Sequence, residues 1–262
     1  MHTELYNKIS KSCCVITVYL DDEKISEGSG FCFLPTGEIV TAAHVVTGRM
    51  PIRTGDADDP GIRIFAKFPN VALKEYKVNL CSINVRVSSF LEDIQIDVAI
   101  LIPVIKEEKL AFLIINTNPP ALGQEVFIAG YPDELKLPYQ LEKIINKDHE
   151  GVTEFLDAME KGYMADMTGP LIKRAVVGNI RRFIASNPKQ EVKSDVFYLD
   201  NGMHSGASGG PVVTKDGDVV GIITQRAITS ASQSNDPRLE IPSGSTICIS
   251  LTSLLVLNQK AV

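Results

Sequence analysis

A chain of 262 residues, 44% hydrophobic and 22% charged, has the make-up of a soluble globular protein and is long enough to bury a sizeable core. Its net charge of −6 argues against a phosphate backbone as partner, because that needs clustered Lys and Arg. Its apolar runs fall short of the ~18 residues that a membrane-spanning helix requires. Neither nucleic acid nor membrane is therefore expected as a partner. The densest basic stretch, Lys173, Arg174, Arg181 and Arg182, reads as a solvated face.

In chain order, residues 4–11 suggest a short amphipathic helix with Thr3 as its cap. β-Branched runs follow at 14–20, 28–34, 38–41, 62–68, 76–87, 98–104 and 125–129, and Pro35-Thr36-Gly37 forms a tight turn. The texture changes after Tyr131. Residues 141–167 are rich in Glu, Lys, Leu, Ala and Met, and helices are expected over 139–147 and 153–163. Strand texture returns at 171–177, 195–199, 211–214 and 218–224, with Lys215-Asp216-Gly217 as a hairpin turn. A last strand at 247–249 and a closing helix over 251–258 complete the reading. There is no repeat and no Pro/Ser linker. The fold class is all-β: one unit, 1–262, with sub-barrels at about 13–110 and 120–250 and a helical insertion at about 134–167.

The five cysteines (Cys13, Cys14, Cys32, Cys81, Cys248) are odd in number and two are adjacent, so no full disulfide framework is indicated. Residues 1–11 are polar and lack the apolar core of a secretory signal. The expected location is a reducing cytoplasm. Neither the histidines nor the cysteines show ligand spacing, so no metal or organic cofactor is expected.

Three residues far apart carry the chemistry. Ser208 lies among Gly206, Gly209 and Gly210, and residues without side chains let consecutive N–H groups converge on one spot, as an oxyanion hole requires. The expected donors are the N–H groups of Gly206 and Ser208. A serine hydroxyl needs a base. Of the four histidines, His2 is terminal, His149 sits in a polar loop, and His204 is four residues before Ser208. His44 ends an apolar strand that runs through small residues (Ile-Val-Thr-Ala-Ala-His44). Asp97 is an acid opening an apolar strand, costly to bury without a partner such as an imidazole. Asp93 is its rival, in a polar loop.

These segments resemble the trypsin/chymotrypsin-fold serine peptidases. Thr-Ala-Ala-His44 is similar to their base motif, Asp97-Val-Ala-Ile-Leu to their acid motif and Gly206-Ala-Ser208-Gly-Gly-Pro to their nucleophile motif. Gly28-Ser-Gly-Phe and Gly130-Tyr-Pro also match, and the order His, Asp, Ser is theirs. Asp200 and the Val-Val-Gly221-Ile-Ile strand resemble the bacterial Deg (high-temperature-requirement) branch, here expected without its peptide-binding domain. The resemblance implies a double six-stranded antiparallel β-barrel with a helical insertion and a C-terminal helix. It also implies a serine endopeptidase acting on proteins or peptides through an acyl-enzyme. Two other hydrolase folds fail. The Gly-x-Ser-x-Gly elbow of α/β-hydrolases needs a histidine after its serine, and none follows Ser208. A subtilisin order using Asp21 or Asp22 needs a parallel α/β layout.

The departures matter as well. Ala207 stands where trypsin has the acid that pairs with a new N-terminus, so the oxyanion loop must be shaped by packing or controlled by another segment. Gly202 stands where the trypsin branch has its pocket-base acid, so cleavage after Lys or Arg is not expected. Gly202, His204, Ile223 and Thr224 are expected around a pocket for a small or medium apolar side chain, with His204 or Thr224 as the alternative for an acidic one. Residues 134–167 are expected to be a plain surface excursion, with a lid or a regulatory docking site as the alternative. The rival functions are a latent or inactive protease-fold binding module, and an esterase using the same three residues.

Overall fold

The computed structural model describes residues 2–255 apart from 54, 107, 108, 136, 138, 139, 188, 189, 234 and 235. Six strands close a first antiparallel barrel: β1 (Cys13–Leu20), β2 (Glu23–Cys32), β3 (Ile39–Thr41), β4 (Ile62–Lys67), β5 (Lys74–Val85) and β6 (Ile94–Pro103). Their spatial order is β1-β2-β3-β6-β5-β4, closed by pairing of β4 with β1. Cys13 to Val18 of β1 are all buried, because both faces of the strand are covered. That is why this stretch reads as a continuous apolar run rather than an alternating one.

The remaining strands are β7 (Ile114–Ile115), β8 (Glu125–Gly130), β9 (Leu171–Asn187), β10 (Gln190–Leu199), β11 (Pro211–Thr214), β12 (Asp218–Gln233) and β13 (Asp236–Ser250). They form one sheet in the order β11-β8-β9-β10-β13-β12-β7. β11 also pairs with β12, so six of its strands bend round into a ring, and β7 lies outside, parallel to β12. The architecture is the chymotrypsin-like one that the resemblance implies. Two hairpins, β9–β10 and β12–β13, run about five to eleven residues past the expected strand ends. Their ladders satisfy the backbone of residues whose side chains show no apolar alternation. Strand β7 was not expected.

Helix α1 (Thr3–Ser12) buries Ile9 and Ser12, and the Phe127 ring of β8 meets the His2 ring tilted at 4.9 Å and the Tyr6 ring edge-on at 5.6 Å. Thr3 is not its cap. It lies inside the first turn, His2 holds the cap position, and no side chain caps the helix. At the other end, residues 251–254 make a 3₁₀ turn where the closing helix was expected, and residues 256–258 of that expectation lie outside the described residues.

Among the described residues the insertion holds the short helices α3 (Leu141–Ile144), α4 (Val152–Ala158) and α5 (Met164–Thr168), with a π turn (Met159–Tyr163) before the last. The helix expected over 139–147 is thus a single turn. The end of the insertion is anchored to the first barrel. Lys67 of β4 is 1% exposed, and its ammonium pairs with the Asp166 carboxylate, donates to the Phe68 carbonyl at 3.0 Å and lies 4.9 Å from the Tyr163 ring centroid. Asp166 also accepts the Asn70 N–H at 2.6 Å.

Candidate active site

Strand β3 ends at Thr41, and the chain turns through fully buried Ala42 and Ala43 into α2 (Ala43–Thr47), a single turn stopped by Gly48. Small residues let this turn sit tightly over the barrel, and His44 projects from it. β3 pairs with β6, Thr41 opposite Ala99, so Asp97 arrives just where α2 begins. Asp97 is the fourth residue of β6, not its first as its sequence context suggested. Its carboxylate makes two bonds to one residue: Oδ1 accepts the His44 backbone N–H at 3.0 Å, and Oδ2 lies 2.8 Å from His44 Nδ1. An ionised carboxylate can only accept, so Nδ1 carries the proton and Nε2 is left as the basic nitrogen. The two side chains are 25% and 12% exposed.

The loop carrying Ser208 is held by its carbonyls. The Asp133 N–H donates to Ser205 O at 2.7 Å, Ser29 Oγ to Gly206 O at 2.7 Å, the Ser29 N–H to Ser208 O at 2.8 Å, and the Gly210 N–H to Ala207 O at 3.0 Å. Ser29 Oγ itself accepts the Tyr131 N–H at 2.8 Å. Strand β2 can come this close because of Gly28: a Cβ there would lie 2.6 Å from Val45 and 3.1 Å from Ser208 O. In a trans peptide the N–H points opposite to the C=O. Fixing Ser205 O and Ala207 O therefore turns the Gly206 and Ser208 N–H groups the other way, and among the described residues neither has a partner. Gly206 is at φ +88°, and a Cβ there would lie 2.4 Å from Tyr131 O. His44, Gly206 and Ser208 line one cleft of about 510 Å³. Ser208 Oγ donates to Thr224 O at 3.2 Å rather than to His44.

A family model described as a trypsin-like peptidase domain matches residues 28–222, about three quarters of the chain. The chain belongs to the trypsin-like peptidases. No curated protein sequence matches it. Among solved structures, the Rv3671c protease from M. tuberculosis in its active form is 17% identical, with a TM-score of 0.53 over 96% of this chain and 81% of that one. The same protease in an inactive form is 16% identical, with a TM-score of 0.54 over 98% and 93% of the two chains. At such identities the likeness concerns the fold.

In this trypsin-like peptidase the cleft also takes in His204, Ile223 and Thr224, but Gly202 is not among its lining residues. Gly202 sits behind, packed against the Gly244 backbone, with its carbonyl accepting Lys173 Nζ at 2.9 Å. Met203 and Ser205 line the cleft as well, as expected of the 202–205 stretch, and so do Glu27, Gln225, Arg226 and Ile228, which sequence reasoning missed because they meet only when β2 and β12 fold together. Glu134, at the start of the insertion, bridges His204 Nε2 at 3.2 Å and Lys173 Nζ at 2.8 Å. The other candidates lie apart: Asp93 pairs with Arg86 at 3.1 Å, His149 is exposed, and Asp21 and Asp22 form the exposed β1–β2 turn. Asp200 accepts the Val176 N–H at 2.7 Å. Beyond Thr224 and Gln225 lies a second cavity of about 380 Å³ whose walls include Asp97, Ile94 and Phe183. Cys81 lies near Ala43, and burial, reinforced by the charge of Asp97, pushes its thiol up to about 12. Among the described residues no three His, Cys, Asp or Glu side chains gather as a metal site, and no helix is long and apolar enough to cross a membrane.

Proposed function

We propose that this peptidase is a serine endopeptidase in which Ser208 is the nucleophile, His44 the base and Asp97 the group that orients it. The carrying observation is the pair of hydrogen bonds from His44 to Asp97, which leaves Nε2 as acceptor in the cleft that holds Ser208. The scheme requires Ser208 Oγ to leave Thr224 O for Nε2 by rotation of its side chain between staggered wells, and catalytic hydrogen bonds of this kind tighten when substrate binds. His44 then takes the hydroxyl proton as Oγ attacks the scissile carbonyl. The Gly206 and Ser208 N–H groups receive the oxyanion, each worth ~3 kcal/mol in such a site. His44 returns the proton to the leaving amine, and water repeats the cycle on the acyl-enzyme. No cofactor enters this scheme.

The contacts of Ser29 and Asp133 with the nucleophile loop support an oxyanion site shaped by packing, in place of the N-terminal ion pair that Ala207 precludes. Residues of both β-systems, among them Val15, Phe31, Phe127 and Ile222, share one core cluster, which supports a single peptidase domain. Five free thiols, four of them buried, support work in a reducing compartment such as the cytoplasm. A fluorophosphonate probe tests the reading. Labelling that vanishes in Ser208→Ala and falls steeply in His44→Ala is expected, together with hydrolysis of peptide amides. No labelling of the wild type would favour a binding module, and turnover of esters alone an esterase.

A further inference from the structure

Four residues lining the cleft beside Ser208 are ionisable: Glu27, His44, His204 and Arg226. Three are already matched. Glu27 pairs with Lys24, His44 with Asp97 at 2.8 Å, and His204 with Glu134 at 3.2 Å. Arg226 forms no ion pair or side-chain hydrogen bond among the described residues. Its guanidinium is therefore an uncompensated cation in the cleft of a chain whose net charge is −6.

The position of Arg226 gives that charge a use. It lies on β12 two residues beyond Thr224, whose carbonyl holds the Ser208 hydroxyl. Two residues of extended chain span ~7 Å, a distance an arginine side chain can bridge. Buried Ile223 and Met203 line the same cleft as Arg226 and Ser208 and give it apolar wall. Arg226 itself is exposed, so a charge pair formed there carries the modest strength of an exposed one. No counter-charge is free to receive a basic side chain, since Glu27 is engaged.

We propose that Arg226 makes this cleft select peptides with an aspartate or glutamate adjacent to the scissile bond. The proposal rests on the peptidase reading above and deepens it. It replaces the apolar preference expected from the pocket residues, and it assigns recognition of acid to Arg226 rather than to His204 or Thr224. His204 is already engaged by Glu134. The Thr224 hydroxyl donates to Ile247 O at 3.3 Å.

The test is digestion of a mixed peptide library by wild type, Arg226→Gln and Arg226→Glu, with cut sites read by mass spectrometry, plus kcat/KM for a matched Glu/Gln peptide pair. The wild type is expected to favour the Glu peptide by about fivefold, the upper range for one exposed ion pair. The preference should shrink as salt rises from 50 to 500 mM, where screening shortens the reach of charge. Arg226→Gln should bring the ratio near one, and Arg226→Glu should turn it towards Lys and Arg. Each ratio is internal to its enzyme, so a general loss of rate does not disturb it. Binding of the same two peptides to Ser208→Ala, followed by fluorescence anisotropy, gives the comparison without turnover. An unbiased wild-type profile, or an acidic bias that survives Arg226→Glu, overturns the proposal while fluorophosphonate labelling leaves the peptidase reading standing. Absence of labelling in the wild type overturns both.

Discussion

Asp97→Asn is the most demanding substitution for the proposed mechanism, because the structure removes its escape route. An asparagine is the same shape, and its Oδ1 can keep the bond to the His44 backbone N–H now made at 3.0 Å. Its NH₂ then faces His44 Nδ1 at the 2.8 Å site and donates to it. The neutral ring must place its own proton on Nε2, so it has no lone pair for Ser208. Flipping the amide would restore the ring proton but set NH₂ against the backbone N–H, leaving two donors face to face at a cost of ~1–3 kcal/mol. The backbone therefore enforces the wrong tautomer. The expected loss in kcat/KM, or in the rate of fluorophosphonate labelling, is about 10⁴-fold, the scale for this substitution in a serine triad. That corresponds to ~5.5 kcal/mol of transition-state stabilisation. Thermal unfolding should be nearly unchanged. An Asp97→Asn enzyme retaining more than about a tenth of the wild-type rate would show that the carboxylate does not set the tautomer.

Gly206→Ala puts a Cβ 2.4 Å from Tyr131 O at a backbone φ of +88°, so the loop must shift; with one oxyanion donor displaced, kcat should fall ~10²–10³-fold. Ser29→Ala leaves the Gly206 carbonyl and the Tyr131 N–H unpaired in a fully buried site, so chemical denaturation should show a loss of ~2–3 kcal/mol together with slower labelling of Ser208. Asp166→Ala strands the buried Lys67 ammonium and should cost ~3 kcal/mol; proteolysis within 134–167 should speed up, and adding Lys67→Met should recover most of the stability. Burial lifts the Cys32 thiol from 9.0 to about 12. The folded chain thus keeps a proton that the unfolded chain loses. The stability this thiol contributes is whole below about pH 9 and lost as pH rises towards 12, by at most ~1.4 kcal/mol per pH unit, a decline that denaturation midpoints at pH 8, 9 and 10 should show.

The barrel strands were legible wherever burial leaves a local mark. The run 14–20 is apolar because both faces of β1 are covered, and Pro35-Thr36-Gly37 and Lys215-Asp216-Gly217 each sit between paired strands. His44 and Asp97 stood out for the same reason, as polar residues in segments that otherwise go inside. The outer halves of the β9–β10 and β12–β13 hairpins were not legible, because cross-strand bonding, not apolar patterning, holds them extended. The short helix α2 escaped notice because a single turn is specified by its seat over the barrel. The anchoring of the insertion was equally hidden: Lys67 and Asp166 are 99 residues apart and look like ordinary surface charges.

By itself, the sequence determined which residue types are present for acyl-transfer chemistry, the order in which they occur, and the glycines without which the loop around Ser208 cannot close. Only the tertiary structure decided that Ser29 and Asp133 hold the loop carbonyls, that the Asp97 carboxylate spans both the ring and the backbone of His44, and that Arg226 lines the cleft of the nucleophile without a counter-charge among the described residues. The physical reason is that periodicity and turn preference act over a few neighbouring residues. The direction of a carbonyl, or the partner of a charge, depends on distant segments that meet only once the strand registers are set.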